Sequence, residues 1–399
     1  MTVNPLRPPR LSLAGLALAT VALVTALTPS AEAAPVYPVA DPDPFYAAPA
    51  DLAASAPGDV LRTRTVPRSP WPGTTVWQLL FRSTDSGGAP IAAVTTLISP
   101  GAGPRPLLSY QPFVNSLGLQ CAPSHTLFTG ALQEARALEL LLARGWAVTV
   151  PDHLGPAGAY GAARLGGQIT LDGIRAVRRF APAGLHDSPV GLAGYSGGAM
   201  STGFAAALAP EYAPELPIVG VAQGGLPVDP GELAARVGDN PNPLFGLGFA
   251  VAVGLQREYP DRLPLDDLLT PAGLALRDRI ADACTDDIIS AGAGHHTSEY
   301  LTTTTLAADT GIAGVLHDNA LEAFPGTPRA PIYQWHGADD QVPLDRVRAT
   351  VARYCAAGTP VRLDVIPGAD HGAAILPGTL RAVAYLADRF DCRPAPVDC

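Results

Sequence analysis

There is no lysine in this chain of 399 residues. All 26 basic residues are arginine, they form no run, and 36 acidic residues leave a formal net charge of −10. Nucleic acid needs a basic patch or stripe, so it is excluded as the expected partner. Long apolar runs are equally scarce. After Leu11–Leu27 no second one follows, and a membrane-spanning helix needs about 20 apolar residues. No C-x-x-C pair and no cysteine–histidine cluster is present, so no metal is expected. His295 and His296 are adjacent in a loop-like stretch, Ala291 to Ser298, and read as a solvated or capping pair. No internal repeat is visible.

What is present begins with an export signal. Arg7 and Arg10 precede the apolar run, and Ala31-Glu32-Ala33 fits a small-x-small cleavage site, so residues 1–33 read as a secretory signal peptide. No cysteine lies near that site, which argues against lipid attachment. The five cysteines, Cys121, Cys284, Cys355, Cys392 and Cys399, read as disulfides with one left over in an exported protein. Spacing alone does not give their pairing. Residues 34–68 are rich in proline and alanine with little periodicity, and read as an N-terminal strap.

From residue 69 onward, short apolar strands alternate with helices. Strand signals cover Val76 to Arg82, Ile91 to Ile98, Pro106 to Gln111, Trp146 to Val150, Val190 to Ala193 and Ile218 to Ala222. Helical spacing covers Leu127 to Ala143 and Leu165 to Phe180. The rhythm predicts an α/β fold with a mostly parallel sheet and helices on both faces. It stops over residues 226–329, which hold helix-like pieces and no clear strand, and it resumes over 330–399. The expected organisation is therefore a core of 69–225 and 330–399 with an inserted helical cap of 226–329. Within the cap, Phe245 to Val253 is markedly apolar; it reads as cap core, as the lining for an acyl chain, or as a face at an oil–water surface.

The whole chain is arranged about one turn. Gly194-Tyr195-Ser196-Gly197-Gly198 fits G-x-S-x-G, with a buried strand before it and an alanine-rich helix, Thr202 to Leu208, after it. Such a turn lifts a serine into an exposed, strained position at the N-terminus of a helix, where free N–H groups favour negative charge. A serine hydroxyl needs a base within hydrogen-bond reach, and the base needs an acid to fix its tautomer. On this type of fold the order is serine, acid, histidine. Of the histidines after Ser196, only His371 follows a late strand and precedes a closing helix. His336, at the end of the strand before the acid, suits a structural role. Asp339 and Asp340 both follow that strand. Counting from the strand end favours Asp340; counting back from Val342-Pro343 favours Asp339.

At these residues the chain resembles the secretory lipases, fungal lipase A-like α/β-hydrolases with a helical cap. The resemblance runs from about Asp59 to Cys399. It rests on Ser109-Tyr110-Gln111 with Cys121-Ala122-Pro123-Ser124, on Val150-Pro151-Asp152-His153-x-Gly155 and on Leu171-Asp172-Gly173-Ile174-Arg175-Ala176. It also rests on the serine turn, on Trp335-His336 with Asp340, and on His371. It implies Ser196 as nucleophile, Asp340 as acid and His371 as base. It implies an oxyanion hole from the Gly197 N–H and the loop of Asn115, where family members often carry aspartate. It also implies a Cys121–Cys284 bridge from core to cap, and Cys355 paired with Cys399 rather than Cys392. The expected function is a secreted serine ester hydrolase, a triacylglycerol lipase, meeting lipid at an oil–water surface. It would use no cofactor and imply no stable protein partner. A short-chain carboxylesterase or acyltransferase would use the same residues, and a catalytically silent binding protein could use the same fold.

Overall fold

Period-two alternation along the strands builds the two halves of the core. Leu107, Leu192 and Val221 turn to one face of a sheet, and their neighbours Leu108, Ala193 and Ala222 to the other. The structure, a computed structural model, describes residues 1–4, 35–67, 69–303 and 309–399. Apart from its first four residues, the expected signal peptide lies outside the described residues. The chain divides into Met1–Ala33 and a second unit, Ala34–Cys399, to which everything below refers.

The sheet runs β1-β2-β3-β5-β4-β6-β7-β8-β9 in space. Its strands are β1 (Val60–Thr65), β2 (Thr75–Thr84), β3 (Pro90–Ser99), β4 (Leu107–Gln111), β5 (Ala147–Pro151), β6 (Val190–Tyr195), β7 (Ile218–Gly224), β8 (Ile332–Gly337) and β9 (Val361–Ile366). The first three are antiparallel, and β3 meets β5 antiparallel. Every pairing from β5 to β9 is parallel. β6, in the middle, is buried along its whole length.

Two local readings differ from the expectation. The strap region contains β1, which pairs with β2. Its Val-Leu-Arg-Thr-Arg-Thr sequence is half exposed, as suits an edge strand, and the polar content hides the alternation. The helix expected over Leu127 to Ala143 is broken into α1 (Pro123–Thr129) and α2 (Ala137–Leu142). Gly130 ends α1 with a left-handed φ of 78°, a conformation glycine adopts without the steric cost of a side chain.

Helix α3 (Ala163–Arg179) and α4 (Gly197–Tyr212) pack together on one face, with Ile174, Phe204 and Ala207 in the core. Residues 226–329 carry α5 (Pro230–Gly238), α6 (Phe245–Glu258), α7 (Leu265–Leu268), α8 (Pro271–Ile280), α9 (Thr285–Gly292), α10 (Thr297–Tyr300) and α11 (Thr310–Asp318), and no strand of the sheet among the described residues. They share a third apolar cluster. Phe245, Phe249, Val253 and Ile280 meet Leu117 and Tyr160 of the main body there. Then come α12 (Leu344–Ala356) and α13 (Ile375–Phe390), the latter on the sheet face opposite α3 and α4.

Disulfides join Cys121 to Cys284 and Cys355 to Cys399, leaving Cys392 free and exposed. The C-terminal tail lies along β9: the Asp398 N–H donates to Val361 O at 2.8 Å, and its carboxylate accepts from the Leu363 N–H at 2.9 Å. No helix among the described residues is long and apolar enough to cross a membrane.

Candidate active site

β6 delivers Ser196 to the C-terminal edge of the sheet, and α4 starts at the next residue. Ser196 has φ 52° and ψ −122°. Among the described residues only Cys392 is another non-glycine with positive φ. Backbone in such a region costs on the order of 1–3 kcal/mol and persists only when its surroundings hold it. Here the Ser196 N–H is held by Gly224 O of β7 at 2.9 Å. The flanking glycine is required by contact. A Cβ on Gly198 would stand 2.0 Å from Gln111 O, so no side chain fits.

His371 follows β9. Its Nε2 lies 2.8 Å from Ser196 Oγ, and its Nδ1 is 2.9 Å from each carboxylate oxygen of Asp340. The Asp340 side chain is fully buried, and that of His371 is 18 % exposed. Asp340 Oδ1 also accepts from the Val342 N–H at 2.8 Å. His336 completes the floor: its Nε2 donates to Val342 O at 2.9 Å and stands 3.6 Å from Asp340 Oδ2. Burial lowers the His336 pKa, so the ring is neutral at neutral pH and adds no competing charge beside the carboxylate. Asp339 is exposed, and its own N–H bonds Ala369 O at 3.0 Å. The structure thus brings Ser196, His371 and Asp340 together and leaves Asp339 outside.

Asn115 lies against the turn. A Cβ built on Gly197 would be 2.2 Å from Asn115 Oδ1, and that oxygen is buried with no hydrogen-bond partner. An unpaired buried carbonyl is costly. Turning the amide by half a rotation exchanges its oxygen for an NH2 group, which makes the spot beside Gly197 a donor site.

Other histidines stand apart. His153 is buried, and burial pulls its pKa down to about 4. His295 bonds Glu299 at 2.8 Å, and His296 caps α10.

Several neighbours of the site carry no signature in the sequence. Tyr195, the variable position of the motif, donates its hydroxyl to His371 O at 2.5 Å. Tyr160 packs beside Gly197 and against Gly254 of α6. Glu134 accepts from Tyr110 Oη at 2.7 Å and from the Phe113 N–H at 3.3 Å, bracing the loop that leads to Asn115. Burial raises its pKa to about 7 despite those two donors. No periodicity or spacing marks such pairs; a glutamate two dozen residues from its partners looks like any surface glutamate.

A cavity of about 470 Å³ lies within the helical insert. Phe245, Phe249, Val251 and Leu255 of α6 form its apolar wall, with Leu316 and the His296–Ser298 stretch on other sides. Val251 also touches the Gly161 turn, next to Tyr160.

A mixed sheet with a strained serine between a central parallel strand and a helix is the α/β-hydrolase architecture. Residues 122–398 match the secretory lipase family, and the chain belongs to it. It is similar to lipase A of Arthroderma benhamiae, with 34% identity over 92% of this chain and 82% of the relative. It is similar also to a secreted triacylglycerol lipase, LIP6, of Malassezia globosa, at 30% over 93% and 69%. A Mycobacterium tuberculosis relative named as a probable inactive lipase, MT1628, is 34% identical over 88% and 82%. The structure superposes on Candida antarctica lipase A in its closed state with a TM-score of 0.83 and 29% identity, over 90% of this chain and 89% of that one. The protein is accordingly a secreted hydrolase of the lipase family.

Proposed function

We propose that this protein hydrolyses long-chain carboxylic esters, triacylglycerols foremost, through an acyl-enzyme on Ser196. Ser196 Oγ attacks the ester carbonyl while His371 Nε2 takes its proton. Asp340 holds the imidazole with Nδ1–H toward the carboxylate and stabilises the imidazolium that forms. The negative oxygen of the tetrahedral intermediate points at the Gly197 N–H, at the start of α4, and at a donor from Asn115. As the intermediate collapses, His371 gives the proton to the departing alcohol. Water then attacks the acyl-enzyme, His371 again takes a proton, and the fatty acid leaves with Ser196 restored.

The observation that carries this reading is the unbroken line from Asp340 through His371 to Ser196, at 2.9 and 2.8 Å. It favours catalysis over the alternative of a silent binding protein, which has no need of such a line. The apolar cavity along α6 supports a long acyl chain, with residues 226–329 acting as the cap. Leu376 and Leu380, exposed one turn apart at the start of α13, offer apolar contact to a lipid surface.

The test is labelling by a fluorophosphonate, then hydrolysis rates against acyl length. Ser196→Ala is expected to stay folded and to lose labelling and about 10⁵–10⁶ in kcat. Activity within tenfold of wild type places the nucleophile elsewhere. A rate that falls steadily with acyl length removes the long-chain assignment.

A further inference from the structure

Arg257, near the end of α6, is 4 % exposed; its guanidinium makes no direct ion pair among the described residues, though the Asp282 carboxylate is close enough to favour its charge. Burial lowers its pKa to about 10, so it still carries its charge at neutral pH. All its bonds go to main-chain carbonyls. Nε reaches Val36 O at 2.8 Å, and Nη2 reaches Ala281 O at 2.5 Å. Nη1 reaches Leu117 O at 2.8 Å, and Ala157 O and Gly158 O at 3.1 Å each. Four separate segments therefore converge on one guanidinium, whose planar fork of donors reaches more of them at once than the single ammonium of a lysine can.

One of those segments is the loop of Asn115. Leu117, two positions on, is gripped through both of its main-chain polar groups: its N–H donates to Ala283 O at 3.0 Å, and its C=O accepts from Arg257. The Cys121–Cys284 bridge ties the far end of the same loop to the same part of the insert. The near end is braced by Glu134 under Phe113. The span between holds Asn115, whose amide faces Gly197. A buried charge with no direct ion pair is expensive even with the Asp282 carboxylate nearby to favour it, and an apolar side chain would fill α6 at lower cost. What an apolar side chain could not do is fix the loop against the insert.

We propose that Arg257 is a positioning residue for ester hydrolysis. Through Leu117 it sets the distance between the Asn115 loop and Gly197, and so the width of the oxyanion hole; the inference rests on the function proposed above. The wall of the acyl cavity and the anchor of the oxyanion loop then belong to one helix.

The experiment compares Arg257→Gln and Arg257→Lys with wild type. It measures kcat, KM, the acid limb of the pH profile, and inhibition by a trifluoromethyl ketone, which adds to Ser196 and puts an oxyanion in the hole. A misplacement of about 1 Å can cost about 10²-fold in rate. The expected result for the glutamine variant is a kcat lowered about 10–100-fold with KM within about threefold. Inhibition should weaken by the same factor as kcat, and the acid limb should stay where it is. Lysine should recover part of the loss. An unchanged kcat, a loss confined to KM, or unchanged inhibition overturns the proposal. Failure of both variants to fold also overturns it, leaving Arg257 as a general brace. Ser196→Ala serves as the reference: if it is active, the proposed function has failed; if it is dead while the Arg257 variants behave as wild type, only this inference has.

Discussion

The hydroxyl of Tyr195 donates to the main-chain carbonyl of His371 across 2.5 Å. The residue before the proposed nucleophile thus holds the backbone of the proposed base, and its ring stacks on Trp335 at 5.7 Å. Tyr195→Phe keeps the stack and removes the bond. The loss of about 1 kcal/mol should appear as a kcat lowered about fivefold, with KM unchanged. A rise in KM alone would mean that the hydroxyl serves substrate binding instead.

Asp339 and Asp340 are neighbours with opposite surroundings. Asp340→Ala removes the acceptor of His371 Nδ1–H and should lower kcat by about 10⁴. Asp339→Ala takes away an exposed carboxylate and should leave kcat within about threefold. Steady-state rates on a soluble ester decide it; a dead Asp339 variant beside an active Asp340 variant reverses the assignment.

Asn115 offers a donor that does not titrate. If its amide points at the oxyanion, Asn115→Ala should lose about 2.7–4 kcal/mol of transition-state stabilisation at every pH. Asn115→Asp should work only at acid pH and fail as its carboxylate ionises beside the developing charge. An alanine variant with near wild-type kcat from about pH 5 to 9 leaves the main chain of the loop as the only donor.

Burial of Glu134 predicts a pH dependence of stability and fixes its sign. Its folded pKa of about 7 lies above the ordinary 4.5, so the fold favours the protonated form. That contribution is complete below the ordinary value and is lost as pH rises through about 7. Glu134→Gln keeps an oxygen for Tyr110 and Phe113 and cannot ionise. Denaturant unfolding should find the two proteins alike near pH 4.5 and the glutamine variant more stable by roughly 1–3 kcal/mol near pH 8. Parallel stability curves would contradict this.

The turn at Ser196 was readable because its signals are local: a buried apolar run, glycines where contact excludes a Cβ, and then a helix. Chain order is enough to choose His371 as the histidine that stands beside Ser196. Residue counting alone leaves Asp339 in competition with Asp340, the acid that the resemblance implies, because adjacent residues on a turn face opposite ways and a count of one decides between burial and solvent. β1 was hidden by the polar half of an edge strand, and the break at Gly130 by leucine and alanine spacing that continues on both sides. Arg257, Glu134 and Tyr160 were beyond reach for a different reason. Their partners are main-chain carbonyls, an amide N–H, a tyrosine hydroxyl and glycines at no regular spacing along the chain, and such pairings leave no trace in residue type.

The tail that runs beside β9 has a consequence outside catalysis. A sheet with nine strands has two rims, and each unpaired rim is a template on which a strand of another molecule can dock. Asp398 occupies part of the β9 rim with its own N–H and carboxylate, and the bridge from Cys399 to Cys355 on α12 keeps it there. The chain has cuffed its own seam. A strand of another molecule that came to this rim would find part of the hydrogen-bonding already taken, and the cuff is held by a bond that the oxidising conditions outside the cell preserve.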